Sequence, residues 1–294
     1  MGAIFEPGFF GSGPVQTALV AGGIVAVVSA VVGVIAVLRA QSFAGHAIGD
    51  VSTLGGSASF LAGVNPVFGY LVLGALAGGT MELLGFRRRE RDVATGVVLG
   101  AALGLSALFL YFDTTLRSTS GAAVTILFGS LFAVPPDTVP LLAGLGAAGL
   151  VLVAVLFRPL LLSSLHPDLA AARGLPVRLL GIVFLTLTAI AVSLSALAVG
   201  TILSTALLIG PAATALRLAR RPLTAVAVAT TLGLAATWIG ILLAYDSYYW
   251  PPADRGWPVS FFVVALVFVF YVVADNLVWR KTKRHGPLRP EPEH

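Results

Sequence analysis

The sequence contains no cysteine and few charged residues. Only 11% of its 294 residues are Asp, Glu, Lys or Arg, whereas a soluble domain carries about a quarter. The absence of cysteine excludes disulfides and thiolate metal sites. Because 57% of the residues are hydrophobic and the mean hydropathy is +0.97, the composition indicates an integral membrane protein.

Lysine is also scarce, because the sequence contains only Lys281 and Lys283, both near its end. A phosphate-binding loop requires Gly-Lys-Ser/Thr, so the sequence has no such loop for ATP. It also has no Gly-x-Ser-x-Gly elbow and no His-Glu-x-x-His pattern, so it carries no recognisable motif for intramembrane hydrolysis. The net charge of +5 is spread over short loops, which indicates orientation in a membrane and no nucleic-acid partner.

Long apolar runs predict an all-α, polytopic fold, because a spanning helix needs about 20 apolar residues. Nine spans are predicted, at residues 17–38, 43–63, 67–86, 93–112, 139–157, 179–198, 200–217, 223–243 and 259–279. Residues 1–14 lack the basic start of a cleavable signal peptide, so we expect the first run to remain a span. Residues 1–279 are predicted to form one transmembrane domain, and the charged, proline-containing tail 280–294 to be disordered.

The arginines are distributed unequally between the two sides of these nine spans. Only Arg117 and Arg255 fall on one side. The other side carries the remaining loop arginines and the basic part of the tail: Arg39, Arg87, Arg88, Arg89, Arg91, Arg158, Arg173, Arg178, Arg217, Arg220, Arg221 and residues 280–284. Because basic loops stay in the cytoplasm, we expect an external N-terminus, a cytoplasmic C-terminus and a bacterial-type plasma membrane.

The apolar run at residues 121–134 is too short to span and is followed by Pro135 and Pro136. If it crossed the membrane, every later basic loop would move to the outside. We therefore predict a re-entrant helix, whose backbone must be covered by protein or line a cavity. A short helix lying in the membrane interface is the alternative.

The longest cytoplasmic loop, residues 158–178, has the start and stop signals of a short helix. Pro167 suits the first helical position, and Asp168 suits the first turn. Gly174 suits the residue that ends a helix, with Pro176 just beyond it. The loop is either a plain connector or a docking element, and the paired signals favour docking.

Two titratable residues, His46 and Asp50, lie within the second predicted span. Residues four apart share a face of a helix. At about 1.5 Å per residue, Asp50 lies roughly 16 Å beyond Arg39, near the middle of a hydrocarbon layer about 30 Å thick. An ionisable group at this depth indicates a transport pathway, and both side chains are good ligands for divalent zinc or manganese. A packing hydrogen bond and a proton relay are the alternatives.

Three further acids lie near the predicted membrane surfaces, and we expect none of them to be a metal ligand. Glu82 is expected to pair with an arginine among residues 87–91. Asp275 is expected to pair with Arg280, and Asp113 to be solvated at the outer end of the fourth span.

Several stretches together resemble the permease subunit of the zinc, manganese and iron ABC importers. That family carries an arginine after the first span and then aromatic-x-Gly-Asp-x-x-x-His. It also carries Leu-Phe-Gly-Asp, a cytoplasmic Pro-Asp-Leu-Ala…Gly element, and Val-Gly followed by Leu-Leu-Ile-x-Pro-Ala-Ala-Thr-Ala. The matching stretches, in the same order, are residues 39–50, 127–130, 167–174, 199–200 and 207–215. The last motif is the most specific, and the resemblance extends over residues 10–279.

The sequence departs from the family pattern in two ways. His46 stands where the family has Asp, and Asp50 stands where it has His, so the two residues of the pair are exchanged. Ser130 replaces the aspartate of the Leu-Phe-Gly-Asp segment. The pair therefore keeps its two ligand types, but their geometry differs.

The resemblance implies a function, partners and site residues. It implies a homodimeric permease that, with cytoplasmic ABC ATPase subunits and an external substrate-binding protein, imports a divalent metal of the zinc or manganese class. ATP hydrolysis is then expected in the partner, so this chain is not expected to be an enzyme or to hold a permanent cofactor. The implied metal ligands are His46 and Asp50. The helix that couples to the ATPase comprises His166, Pro167, Asp168, Leu169, Ala170, Arg173 and Gly174.

Two other functions fit the same residues. One is an ABC permease for a different small solute, which would leave metal uptake unchanged on deletion. The other is a proton-coupled secondary transporter that uses His46 and Asp50 as proton carriers. Co-purification of an ATPase distinguishes the secondary transporter from both ABC permeases, because it requires none.

Overall fold

The computed structural model describes residues 8–84, 88–116, 126–129, 131–201, 204–250 and 256–284, and all regular structure in these ranges is helical. Short 3₁₀ turns lie at Leu131–Ala133 and Pro136–Thr138. The α-helices are α1 (Gly13–Leu38), α2 (Ser42–Ala62), α3 (Pro66–Leu84), α4 (Arg88–Leu116), α5 (Val139–Leu165), α6 (Pro167–Ala172), α7 (Val177–Val199), α8 (Ser204–Leu218), α9 (Pro222–Ser247) and α10 (Val259–Arg284).

Within the described ranges, five helices are long and apolar enough to cross a membrane: α1, α5, α7, α9 and α10. They confirm five of the predicted spans by length and composition. Helices α2, α3, α4 and α8 coincide with the other four, but they do not combine the required length and hydropathy in the described residues. In α2 the polar residues lower the hydropathy, and α8 has only 15 residues. The count of nine spans is therefore not confirmed.

Helices α1 and α7 form the centre of the molecule. Their apolar windows are 72% buried, against 22% in α5 and α10. Helix α7 packs against α1 and α5 on one side and against α2 and α3 on the other, while α8, α9 and α10 pack on one another. A helix that is apolar all round is typical of such a central position.

Small residues allow the helix backbones to approach closely, as is usual between membrane helices. Gly55 of α2 and Gly69 of α3 face each other, and a Cβ on either glycine would overlap the carbonyl oxygen of the other. A Cβ on Gly33 of α1 would overlap the carbonyl oxygen of Leu208 in α8. Glycine is therefore required at these crossings by the closeness of the neighbouring backbone.

The predicted re-entrant segment is described only in part, because residues 121–125 and 130 lie outside the described ranges. The backbone N–H of Thr201 donates to the carbonyl of Ile126 at 3.1 Å, and Leu131 is fully buried. Gly200, with φ +88°, lies so close to residues 127–129 that a Cβ would overlap their backbone. The described part is therefore covered by the turn between α7 and α8. This agrees with what a re-entrant segment requires, and its entry into the membrane stays a prediction.

The last helix is longer than the sequence indicates. It continues to Arg284, past the predicted end of the transmembrane domain at residue 279. Residues 285–294 of the predicted disordered tail lie outside the described part of the chain.

Candidate functional site

His46 and Asp50 lie on the same face of α2, as their spacing predicts. The Nε2 atom of His46 is 3.7 Å from the Oδ2 atom of Asp50. This separation is too long for a hydrogen bond between the two side chains, so the pair does not fix packing by a bond of one residue to the other. It is compatible with both atoms binding one cation at about 2.0–2.2 Å each.

The two side chains differ in exposure. The side chain of His46 is 46% exposed, whereas that of Asp50 is only 12% exposed. The carboxylate therefore lies within the helix bundle and the imidazole at its open edge. A cation that approaches from the open edge would meet the imidazole first and the buried negative charge second.

Glycines beside the pair bring α2 close to the centre of the bundle. A Cβ on Gly49 would stand 3.1 Å from Val192 of α7, and a Cβ on Gly45 would stand 3.1 Å from Leu208 of α8. The face next to His46 and Asp50 is thus closed by apolar contacts. This arrangement holds α2 in place and leaves the two polar side chains on the adjoining face.

One chain supplies few ligands for a metal ion. The described residues contain no group of three or more His, Cys, Asp or Glu side chains that could hold one. Structural zinc sites use four ligands, so His46 and Asp50 alone make an incomplete site. Loose binding suits a transported ion, because the ion must also leave.

Asp275 is placed differently from the sequence-based expectation. Asp275 forms its ion pair with Arg217 of α8, so the expected pairing with Arg280 is wrong. The reason is geometric, since a residue five positions further on lies about 140° round the helix, whereas α8 packs directly against α10. No local sequence pattern could have indicated a pair between two separate helices.

Asp113 also differs from expectation, whereas the pairing expected for Glu82 stays a prediction. Asp113 is only 1% exposed, and its two carboxylate oxygens have no hydrogen-bond partner in the described part of the protein, so the prediction that it is solvated is wrong. The carboxylate of Glu82 lies against Gly181 of α7 and interacts with the charge of Arg39. Residues 87–91 include the partners expected for Glu82, and their side chains lie outside the part of the protein that the structure describes.

The short loop helix is confirmed as α6. His166 ends α5 and precedes Pro167, the first residue of α6. At its other end, the N–H of Leu175 donates to the carbonyl of Ala170 at 3.1 Å and that of Gly174 to Ala171 at 2.9 Å. Gly174 has φ +75°, so these bonds form the Schellman motif that glycine favours.

Helix α6 is exposed on most of its surface and buried at one residue. Ala170 is fully buried and anchors the helix to the bundle. Ala170 also belongs to the set predicted to couple to a partner, and its burial leaves it no exposed surface for such a contact. The other residues of that predicted set are exposed: His166, Pro167, Asp168, Leu169, Arg173 and Gly174. An exposed leucine on a short, capped helix is a suitable contact for another protein, although contact with an ATPase stays a prediction.

A model of the ABC 3 transport family matches residues 13–274. The chain belongs to this family. It is 32% identical over 235 residues to the manganese import system permease protein ScaB of Streptococcus parasanguinis, covering 79% of this chain and 81% of that protein. It is also 32% identical to the manganese transport system membrane protein MntC of Listeria innocua, covering 82% and 85% of the two chains. The resemblance noted in the sequence is thereby confirmed.

The chain is also similar to a zinc transport protein and to a solved structure. The high-affinity zinc uptake system membrane protein ZnuB of Haemophilus influenzae is 27% identical, with 78% of this chain and 88% of that protein covered. Among solved structures, a chain of PsaBC from Streptococcus pneumoniae in complex with Fab superposes with a TM-score of 0.77 and 29% identity, covering 91% of this chain and 92% of the other. The all-helical, multi-pass architecture is therefore that of a membrane transporter.

Proposed function

We propose that this chain is the membrane-spanning permease of an ABC importer that carries a divalent transition metal of the manganese or zinc class into the cytoplasm. Membership of the ABC 3 transport family supports the transporter class. Relatives described as manganese and zinc transport proteins support the class of substrate. Imidazole and carboxylate are ligands that suit both metals.

The observation that carries the proposal is the pair formed by His46 and Asp50. A buried carboxylate requires a compensating charge or hydrogen bond, and the only ion-pair partner recorded for Asp50 among the described residues is the histidine 3.7 Å away. A divalent cation between the two supplies that compensation. The pair therefore forms a transient binding position for the cation halfway along its path.

A second copy of the chain completes the proposed pathway. If the path follows the axis of a homodimer, His46 and Asp50 of both copies offer four ligands, as many as a closed zinc site has. The exposed position of His46 allows such sharing between copies. A dimer also matches the two ATPase subunits of the proposed importer, one for each permease.

The proposed orientation places α6 in the cytoplasm. Nine spans, with α2, α3, α4 and α8 counted, give an external N-terminus and a cytoplasmic C-terminus in the plasma membrane. The exposed surface of α6 then faces an ATPase subunit, and an external substrate-binding protein delivers the metal to the opposite side. The excess of arginine on the side of α6 supports this orientation.

The test is metal uptake by cells that carry single-residue variants. His46→Ala and Asp50→Ala are each expected to lower the initial rate of Mn²⁺ accumulation at least about ten-fold, since even outer-sphere changes at metal sites cost that much. Asp137→Asn is the matched control, because it removes one negative charge from an exposed acid and is expected to leave uptake unchanged. Undiminished uptake in both alanine variants, with normal amounts in the membrane, would falsify the proposal.

A further inference from the structure

Arg39, at the end of α1, connects three other helices. Its Nη1 donates to the hydroxyl of Ser163 in α5 at 3.2 Å, and its guanidinium lies 5.0 Å from the centroid of the Phe184 ring in α7. Its charge also interacts with Glu82 of α3. A planar guanidinium can stack on a ring and donate hydrogen bonds at the same time, which a lysine cannot.

Two of these contacts, with Ser163 and Phe184, fall on the helices that flank α6. Ser163 lies in the last turn of α5, and the N–H of His166 at the end of that helix donates to the carbonyl of Leu162 at 2.9 Å. On the other side, the backbone bond from Leu175 to Ala170, at 3.1 Å, attaches the end of α6 to the start of α7. Helices α5, α6 and α7 thus follow one another through short, hydrogen-bonded connections, and Arg39 contacts this unit on both sides of α6.

Arg39 is also the first residue of the turn between α1 and α2, the helix that carries His46 and Asp50. Ala40 has φ 53°, a conformation that costs a non-glycine residue free energy and is kept only where the surroundings fix it. The N–H of Gln41 donates to the carbonyl of Ala36 at 2.9 Å, and that of Gly45 donates to Gln41 at 3.1 Å. Helix α2, with His46 on its second turn, therefore starts directly from the end of α1.

We infer that Arg39 is a positioning residue that transmits movement of the α5–α6–α7 unit to the helix carrying His46 and Asp50. When a partner moves α6, the contacts to Ser163 and Phe184 move Arg39, and the rigid corner at Ala40 passes the displacement to α2. Because the inference rests on the proposed function, it concerns how ATP hydrolysis is coupled to release of the metal. Arg39 itself does not bind the metal in this account.

The test compares Mn²⁺ transported per ATP hydrolysed in phospholipid vesicles that contain the chain with its cognate ATPase and substrate-binding protein. Arg39→Gln removes the charge and the stacked guanidinium while keeping a polar side chain. It is expected to lower the ratio about ten-fold, which lies within the range observed for changes along coupling networks. ATP hydrolysis and assembly of the complex are expected to persist.

Arg217 supplies a matched control. It also pairs with an acid, Asp275, and its guanidinium lies 5.0 Å from the centroid of the Tyr271 ring, but its described contacts are with α10. Arg217→Gln is therefore expected to leave the ratio unchanged. If both arginine variants lowered the ratio equally, the effect would be a general loss of packing, and the inference would be overturned.

Ser163→Ala provides a second variant that is mild enough to fold. It removes the oxygen that accepts the hydrogen bond from Arg39 but leaves the contact with Phe184. We therefore expect the ratio to fall about three-fold, near the lower end of the range for changes along coupling networks. This variant decides the question if Arg39→Gln does not assemble. An unchanged ratio in whichever variant assembles contradicts the coupling role. A wild-type complex that hydrolyses ATP but moves no Mn²⁺ contradicts the proposed function itself.

Discussion

Asp50 and His46 differ in what each contributes to a bound cation. The carboxylate is buried and carries the negative charge that attracts a divalent ion at depth, while the imidazole lies at the open edge of the bundle. A neutral imidazole is a ligand only when it has no proton on the binding nitrogen. Binding of the cation therefore depends on having one imidazole and one carboxylate on this face of α2. It depends less on which of the two residues comes first in the sequence.

Exchanging the two residues tests this statement. The double variant His46→Asp/Asp50→His keeps both ligand types on the same face and restores the order found in the family that the chain resembles. We expect its initial rate of Mn²⁺ uptake to stay within about three-fold of the wild type, because the ligand set suited to the metal is kept. An uptake rate as low as that of Asp50→Ala would show that the position of each group matters, contrary to this account.

At the scale of the helices, close backbone contact holds α2 against the rest of the molecule. Gly55 and Gly69 bring α2 and α3 together at their crossing, and Gly45 and Gly49 bring α2 against α8 and α7. Since His46 and Asp50 are fixed to α2, their direction depends on these contacts. Small residues are thus as necessary to the site as the ligands, although they have no chemistry of their own.

Replacing Gly55 by alanine is expected to destabilise the protein. The new methyl group would overlap the carbonyl oxygen of Gly69, and such overpacking costs about 1–3 kcal/mol. Gly79→Ala is the matched control in α3, because a Cβ there has no neighbour within 4 Å. Thermal unfolding in detergent should show a lower midpoint for Gly55→Ala only. Equal midpoints for the two variants would mean that α2 and α3 are not in backbone contact.

At the scale of the whole molecule, the proposed mechanism requires α6 and the aromatic residues after α9 to lie on opposite sides of the membrane. These residues are Tyr248, Tyr249, Trp250 and Trp257. Three helices, α7, α8 and α9, lead from α6 to these aromatic residues, and an odd number of crossings puts the two on opposite sides. The side chain of Trp257 is exposed. The external side is then marked by Trp and Tyr residues, which favour the membrane–water interface.

The absence of native cysteine makes this orientation straightforward to measure. We expect Trp257→Cys to react in intact cells with a maleimide that does not cross membranes. Ala172→Cys, at an exposed position of α6, should react only after the cells are permeabilised. The reverse pattern would place α6 outside and remove it from any cytoplasmic ATPase.

Features that depend on local sequence were predictable, and features that depend on contacts between distant helices were not. Hydropathy identified α1, α5, α7, α9 and α10, and turn residues identified α6. The four-residue spacing of His46 and Asp50 identified the shared face. The pairing of Arg217 with Asp275 and the contacts of Arg39 join helices far apart in the chain, and no local period encodes them. In α2 the polar residues that form the site also weaken the hydropathy that would mark it as a span.

In the proposed mechanism, the metal passes His46 and Asp50 on its way through the membrane. ATP-driven Mn²⁺ flux into vesicles with the purified importer, compared between the wild type and the double variant His46→Ala/Asp50→Ala, tests this step. We expect ATP hydrolysis to continue in the double variant while flux falls to the level seen without ATP. Flux equal to that of the wild type would contradict this mechanism.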